Sequence, residues 1–239
     1  MKPMIKMFDH DFSFYLMKPL HTSTIMYIIL YHGWGSSASK YLEYASSLTR
    51  KGYTVIIPEL VYHDTRNPLT NPFNLKNMET YFWKVVLQSI DECHQWLNRS
   101  NLRKENTVVA GVSMGGFIAT GVYATTDLKG LVSISGSGSF FYSERLFRQA
   151  SSRDPLTNKE ETKLKMYDPM NHVHGDGEIL LLHGEQDQII SIKAKEDYFA
   201  YLTDKGKKAQ LKRYKDVEHE FTTCMQTDIL NWLEVQAAR

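Results

Sequence analysis

The sequence has few cysteines and no long hydrophobic run. Cys93 and Cys224 are its two cysteines among 239 residues, which is too few for a disulfide framework. Both fall within helix-like patterns, so we expect two buried thiols. The longest apolar run, from Ile25 to Tyr31, is far shorter than the roughly 20 residues of a membrane-spanning helix. Residues 1–8 contain no apolar core of signal-peptide length. We therefore expect a reduced, cytoplasmic protein without a membrane span.

A strong excess of one charge is also missing. The 28 Lys and Arg residues nearly balance the 27 Asp and Glu residues, which leaves a net charge of +1. This balance gives no electrostatic reason to expect nucleic acid as a partner. The pairs His172 with His174 and His63 with Asp64 match no known zinc spacing. We expect neither a metal nor a cofactor.

Short apolar runs alternate with helical patterns along the chain. A run that is apolar throughout is typical of a strand buried on both faces, and the alternation indicates repeated β-α-β units. An α/β fold is therefore expected, with one domain over residues 1–239 and a mostly parallel central sheet with helices on both faces. Residues 12–18 are expected to add an antiparallel edge strand. Strands are predicted at 25–31, 53–57, 107–111, 131–135, 178–183 and 210–214, and helices at 39–51, 78–98, 192–203 and 222–237.

One segment, residues 136–177, interrupts this alternation. It contains no strand pattern and is too long for a simple connection between two elements. Its aromatic residues argue against disorder, and its charged stretch at 158–165 is helix-like. The segment is therefore predicted to be a small helical cap, or lid, over the functional site.

The sequence Gly111-Val112-Ser113-Met114-Gly115 fits the G-x-S-x-G nucleophile elbow. A β-branched run precedes it and a helix-compatible segment follows it, as the elbow requires. Glycine at positions 111 and 115 avoids side chains that would collide with the tight turn. Ser113 is therefore the candidate nucleophile.

A serine nucleophile needs a base, and the base needs an orienting carboxylate. The predicted strand 178–183 leads into Glu185 and Asp187, and we favour Asp187 because two more residues bring its carboxylate back over the sheet. His219 is the only histidine after Asp187, and it lies in the loop before the last helix. The candidate catalytic residues are therefore Ser113, Asp187 and His219.

Two backbone N–H groups are expected to form an oxyanion hole, because negative charge develops on the substrate oxygen during acyl transfer. One belongs to Met114, the residue after the nucleophile. The other is assigned to Trp34 in the loop His32-Gly33-Trp34-Gly35, whose glycines let the backbone approach a substrate. The candidate residues of the substrate pocket are Trp34, Tyr62, His63, Phe140 and Phe141.

These motifs together resemble the α/β-hydrolase superfamily over nearly the whole chain from about residue 12. Within it, the sequence is similar to small bacterial esterases of the branches that contain dienelactone hydrolase and the catalytic domain of prolyl oligopeptidase. The resemblance implies an α/β-hydrolase fold and hydrolysis of a carboxylic ester by Ser113, Asp187 and His219. It also implies that Trp34 and Met114 are the oxyanion donors. Dienelactone hydrolases use a cysteine nucleophile, so Ser113 removes the implication of lactone chemistry.

The expected substrate is a small, largely apolar ester, because aromatic residues surround the predicted site. Two alternatives use the same fold: a peptidase or acyl-aminoacyl hydrolase with the same triad, and a protein that binds a small ligand without turnover. A dinucleotide site is a third interpretation. Gly33 to Ala38 satisfies G-x-G-x-x-A and Glu59 ends the next strand, but this interpretation leaves the elbow unexplained.

Overall fold

A central sheet of eight strands organises the part of the chain that the computed structural model describes, namely residues 5–10, 12–20 and 23–238. The strand order across the sheet is β1-β2-β4-β3-β5-β6-β7-β8. The strands are β1 (Ile5–Asp9), β2 (Phe12–Met17), β3 (Met26–Tyr31), β4 (Tyr53–Pro58), β5 (Thr107–Val112), β6 (Gly130–Ile134), β7 (Glu178–Gly184) and β8 (Ala209–Tyr214).

Seven α-helices accompany these strands within the same described ranges. They are α1 (Leu42–Arg50), α2 (Leu75–Arg99), α3 (Met114–Ala124), α4 (Phe140–Ala150), α5 (Asn158–Tyr167), α6 (Ile192–Asp204) and α7 (Thr223–Ala237). Short 3-10 helices cover Ala38–Tyr41, Lys104–Asn106 and Pro169–Asn171. The α/β architecture expected from the alternating patterns is confirmed.

The sheet is parallel from β4 through β3, β5, β6 and β7 to β8, and antiparallel at β1 and β2. Residues 12–18 were expected to form the edge strand, and this position is wrong. The strand there, β2, is antiparallel, but it lies between β1 and β4. The outer position belongs to β1, whose exposed, partly charged sequence gives no sign of a buried strand.

Helices cover both faces of the sheet, and each face has its own apolar core. One core packs buried residues of α2, α3 and α6 against the sheet, including Val86, Phe117 and Tyr198. The other packs α1 and α7 against the opposite face, through residues such as Leu48 and Leu233. Burial of each such side chain stabilises the fold by about 1.5–3 kcal/mol relative to exposure.

The segment 136–177, between β6 and β7, contains α4, α5 and a 3-10 turn. A capping box at the start of α5 fixes its first turn, because the Thr157 side chain and the Glu160 side chain each accept from the other residue's backbone N–H. Phe140, at the start of α4, is fully buried against Phe117 and Trp83. The segment is therefore anchored to the domain core by its first helix.

The two cysteines differ in environment. Cys93 is buried in α2 as expected, whereas Cys224, also expected to be buried, is exposed in the first turn of α7. The helical pattern around Cys224 was interpreted correctly, but the face of the helix on which it lies was not. Among the described helices, none combines the length and the apolar character needed to cross a membrane.

Candidate active site

The turn between β5 and α3 holds Ser113 in a strained conformation. Its φ of 56° and ψ of −119° are rare for a residue with a side chain. A Cβ added at Gly111 would lie 1.9 Å from the carbonyl oxygen of Gly115, and one added at Gly115 would lie 2.3 Å from that of Tyr31. The backbone N–H of Ser113 donates to the carbonyl of Ile134 (2.8 Å). The two glycines and the neighbouring strand thus present the Ser113 hydroxyl above the sheet.

Ser113, His219 and Asp187 form a hydrogen-bonded chain. The Nδ1 of His219 lies 2.7 Å from Oδ2 of Asp187, and its Nε2 lies 2.8 Å from Oγ of Ser113. Because a carboxylate only accepts hydrogen bonds, Nδ1 carries a proton and Nε2 of the neutral ring accepts from the serine hydroxyl. The alternative acid, Glu185, is exposed to solvent. The structure therefore brings together the three residues selected from the sequence.

Close approach of two loops places His219 next to Asp187. The backbone N–H of Gln186 donates to the carbonyl of Val217 (2.9 Å), which joins the loop after β7 to the loop after β8. A Cβ at Gly184 would lie 2.3 Å from that carbonyl oxygen and 2.5 Å from that of Glu218. The absence of a side chain at position 184 is what allows the two loops to meet.

The carboxylate of Asp187 has no solvent-exposed surface and is held from several sides. Its Oδ1 accepts from the backbone N–H groups of Ile189 and Ile190 (2.9 Å each). Nε2 of the buried His183 donates to the carbonyl of Ile190 (2.9 Å) and lies 3.2 Å from Oδ2. Burial alone would raise the pKa of Asp187, but the hydrogen bonds from His183, His219 and Ile190 outweigh it and hold the pKa well below its usual value.

The loop after β3 lies directly against the nucleophile. A Cβ at Gly33 would be 3.2 Å from the Cβ of Ser113. His32 fixes this loop, since its Nδ1 bonds the carbonyl of Gly33 (2.9 Å) and its Nε2 bonds Oδ2 of Asp64 (2.8 Å). The other oxygen of Asp64 accepts from the backbone N–H of Ala38 (2.8 Å). Asp64 thus links the turn after β4 to both ends of the loop.

The backbone N–H groups of Trp34 and Met114 are the two candidate oxyanion donors. The N–H of Gly35 is bonded to Nε2 of His63 (3.1 Å) and that of Ser36 to the carbonyl of Gly33 (3.2 Å). Within residues 5–10, 12–20 and 23–238, no acceptor engages the N–H of Trp34 or of Met114, the first residue of α3. Met114 directly follows Ser113, and Trp34 follows Gly33, which lies against Ser113.

Of the pocket residues selected near the turn after β4, His63 packs against Trp34 and Tyr62 packs against Tyr81. The His63 ring lies roughly perpendicular to the indole, with the ring centroids 5.0 Å apart. His63 is only 4% exposed, so this ring is buried next to Trp34. The indole N–H of Trp34 donates to the carbonyl of Pro72 (3.0 Å). Tyr62 lies against Tyr81 with ring centroids 4.5 Å apart.

The two pocket residues selected on α4 lie elsewhere. Phe140 is completely buried and so faces the core instead of an open pocket. Phe141 lines a surface cavity of about 450 Å³ between α4 and α5, together with Tyr142 and Leu146. Ser113, His219 and Asp187 do not line that cavity. Spacing alone did not reveal which face of α4 is turned inward.

The residues considered for a dinucleotide site and for a metal site make structural contacts. Glu59, the candidate ribose ligand, is 1% exposed and bonded to Ser13, Thr65 and Lys6. His172 and His174 stack with centroids 6.5 Å apart. No group of three or more His, Cys, Asp or Glu side chains within the described ranges is arranged to hold a metal ion.

Comparison with known proteins agrees with this architecture. Residues 12–231 match the model of the dienelactone hydrolase family. The esterase YjfP of Escherichia coli is 28% identical over 177 residues, which cover 68% of this chain and 69% of that protein.

Two solved structures share the fold. The structure of TT1662 from Thermus thermophilus superposes with a TM-score of 0.76 at 16% identity, covering 99% of this chain and 98% of the other. The acylaminoacyl peptidase of Pyrococcus horikoshii gives a TM-score of 0.68 at 16% identity, covering 97% of this chain but only 41% of that protein. The match over residues 12–231 spans nearly the whole chain, and the chain therefore belongs to the dienelactone hydrolase family.

Proposed function

We propose that this chain is a serine carboxylesterase that cleaves a small, largely apolar ester through an acyl-enzyme on Ser113. The observation that carries the proposal is the unbroken chain of hydrogen bonds from Ser113 Oγ through His219 to the buried carboxylate of Asp187. Family membership supports hydrolase chemistry. The esterase YjfP supports it too, since its match covers similar shares of both chains, 68% and 69%.

In the first half-reaction, His219 Nε2 takes the proton from the Ser113 hydroxyl as Oγ attacks the ester carbonyl carbon. The carbonyl oxygen becomes an oxyanion that accepts from the N–H groups of Trp34 and Met114. Collapse of this intermediate breaks the ester C–O bond, and His219 returns its proton to the leaving alcohol. The acyl group is then bound to Ser113.

In the second half-reaction, His219 takes a proton from water, and the resulting hydroxide attacks the acyl carbon. The same two N–H groups stabilise the second oxyanion. Collapse releases the carboxylic acid and returns the proton to Ser113. Asp187 orients the imidazole and stabilises its charged form in both steps.

The aromatic residues beside the loop after β3 favour an apolar substrate. Phe82 lies 6.2 Å from the indole of Trp34 and 5.6 Å from Phe147 of α4, measured between ring centroids. Aromatic side chains of this kind favour binding of an apolar acyl or alcohol group, because both surfaces are then removed from water. A role of the 136–177 segment as a cap over this group is part of the same proposal, because Phe147 belongs to it.

The first test combines a fluorophosphonate probe, mass spectrometry and a series of p-nitrophenyl esters of increasing chain length. The wild-type protein should carry a single adduct on Ser113 and hydrolyse the shorter esters. Ser113→Ala should lose the adduct and at least about 10⁴-fold in kcat.

Ser47→Ala is the matched control, because Ser47 lies on α1 and its Oγ donates to the carbonyl of Tyr44 instead of to the triad. It should retain both the adduct and the activity. A Ser113→Ala variant that still hydrolyses esters would refute the assignment. Folded wild-type protein that forms no adduct would favour a ligand-binding role instead.

A further inference from the structure

His63 makes two hydrogen bonds that fix its protonation. Its Nδ1 lies 3.1 Å from the carbonyl oxygen of Val61, and its Nε2 lies 3.1 Å from the backbone nitrogen of Gly35. A carbonyl can only accept and a backbone N–H can only donate, so Nδ1 carries the proton and Nε2 is unprotonated. These contacts require the neutral imidazole in one tautomer.

The His63 ring contacts both the peptide that follows Trp34 and the side chain of Trp34. Gly35, which follows Trp34, has a φ of +66°, and its N–H is anchored by His63. The indole of Trp34 packs perpendicular to the imidazole at 5.0 Å. His63 thus fixes the peptide after Trp34 through Nε2 and packs its ring against the Trp34 side chain.

We propose that His63 is a positioning residue for the oxyanion hole, and that only its neutral form aims the N–H of Trp34 at the substrate oxygen. The proposal rests on the proposed esterase function. Protonation of Nε2 replaces the acceptor with a second donor facing the Gly35 N–H, and this repulsion releases the loop. Catalysis then loses oxyanion stabilisation on acidification through a group that never touches the substrate.

The surroundings of His63 keep it neutral near pH 7. Burial lowers the pKa of His63, the bond to the Val61 carbonyl opposes this effect, and the charge of His32, whose ring lies 5.5 Å away, lowers the pKa further. Asp64 acts in the opposite direction. The guanidinium of Arg66, from the same turn, is paired with Glu92 on α2.

Two substitutions at His63 distinguish the effect of its hydrogen bond to Gly35 from the effect of its ring volume. His63→Phe keeps an aromatic ring but has no acceptor for Gly35. His63→Gln supplies an amide oxygen that can accept at the position of Nε2 and does not titrate. His94→Gln is the control, since His94 lies on α2 and bonds Thr125 outside the site.

The experiment measures kcat and KM for a p-nitrophenyl ester from pH 8 to pH 5.5, with the fold of each variant checked by circular dichroism. His63→Phe should lower kcat about 10- to 100-fold with KM changed less than about 2-fold, the size of effect that misplaced catalytic groups produce. His63→Gln should keep most of the activity at pH 8 and should lose less of it than the wild type on acidification. His94→Gln should match the wild type.

An imidazole ¹⁵N NMR spectrum of the wild type tests the tautomer without any variant. It should show His63 protonated on Nδ1 alone at pH 8, and a proton on Nε2 would overturn the inference. An active wild type whose kcat and acid profile are unchanged by both His63 substitutions would overturn the positioning role and leave the esterase function intact. A wild type that neither hydrolyses esters nor labels at Ser113 would overturn the proposed function, and this inference with it.

Discussion

At the scale of single residues, Asp187 is the centre of the candidate site. It combines a fully buried carboxylate with two backbone donors and two histidines, His219 and His183. The sequence predicted Asp187 and His219 because chain order and strand ends restrict where an acid and a base can lie. It did not predict His183 or the support by His63, because those contacts depend on turn geometry, including the positive φ of Tyr62 and Asp64.

The first residue-scale prediction distinguishes the two acids. Asp187→Asn should lower kcat by about 10⁴-fold, because an amide facing Nδ1 favours the wrong imidazole tautomer. Glu185→Gln should leave kcat nearly unchanged, because Glu185 is exposed and takes no part in the chain to Ser113. Steady-state kinetics on one ester measures both variants. A larger loss in Glu185→Gln than in Asp187→Asn would mean that the acid is misassigned.

At the scale of elements, the strands buried on both faces could be predicted from the sequence, whereas the outer strand β1 could not. Runs such as Val108–Val109 and Leu180–Leu182 are apolar throughout because helices cover both faces of the sheet, and this pattern is visible in the sequence. The strand β1 is short and mostly exposed, and its pairing with β2 comes from tertiary structure. Length and aromatic content indicated helices within 136–177, but not which of their faces is buried.

A prediction at this scale concerns the contact between the loops after β7 and β8. Gly184→Ala would place a Cβ within 2.5 Å of two backbone carbonyl oxygens, which cannot move aside as a flexible side chain can. The loops should separate and carry His219 away from Asp187. We expect kcat to fall about 100-fold or more, since a displacement of about 1 Å is enough for that loss.

Gly206→Ala is the control for this variant. Gly206 has a φ of +67° and no atom within 4 Å of an added Cβ, so alanine there costs about 1 kcal/mol of conformational strain without a collision. Thermal unfolding should show lower stability for both variants, whereas the loss of kcat should be confined to Gly184→Ala. Equal activities of the two variants would contradict the role assigned to this contact.

At the scale of the whole molecule, the site depends on the register of most of the sheet. The loops that follow β3, β4, β5, β7 and β8 all contribute, and they meet because the carboxyl ends of parallel strands lie on one edge. The three residues selected for the triad each follow a predicted strand, and the fold brings the ends of those strands to one edge of the sheet. The distances between loops require side-chain packing on both faces, which no linear pattern contains.

Acidification should weaken the whole fold through its carboxylates and histidines. The pKa values of Asp64 and Asp187 are lowered in the folded protein, because hydrogen bonds outweigh the effect of burial. The unfolded chain therefore binds more protons as the pH falls below 3.8, the ordinary pKa of an Asp carboxyl, and the stabilisation by these groups is lost there. Asp168, whose pKa is raised by burial, acts in the opposite direction.

The histidines should act at higher pH. Burial lowers the pKa of His63, His94 and His183 below the ordinary histidine value of 6.5, so below pH 6.5 the unfolded chain binds protons that the folded state does not. The free energy of unfolding should be insensitive to these groups between pH 8 and 7 and should decline as the pH falls below about 6.5, by about 1.4 kcal/mol for each pH unit by which folding lowers a pKa. Urea unfolding at closely spaced pH values measures this decline. His63→Gln should make it shallower because one titrating group is removed. An equally steep decline in that variant would show that His63 is protonated as readily in the folded protein as in the unfolded chain.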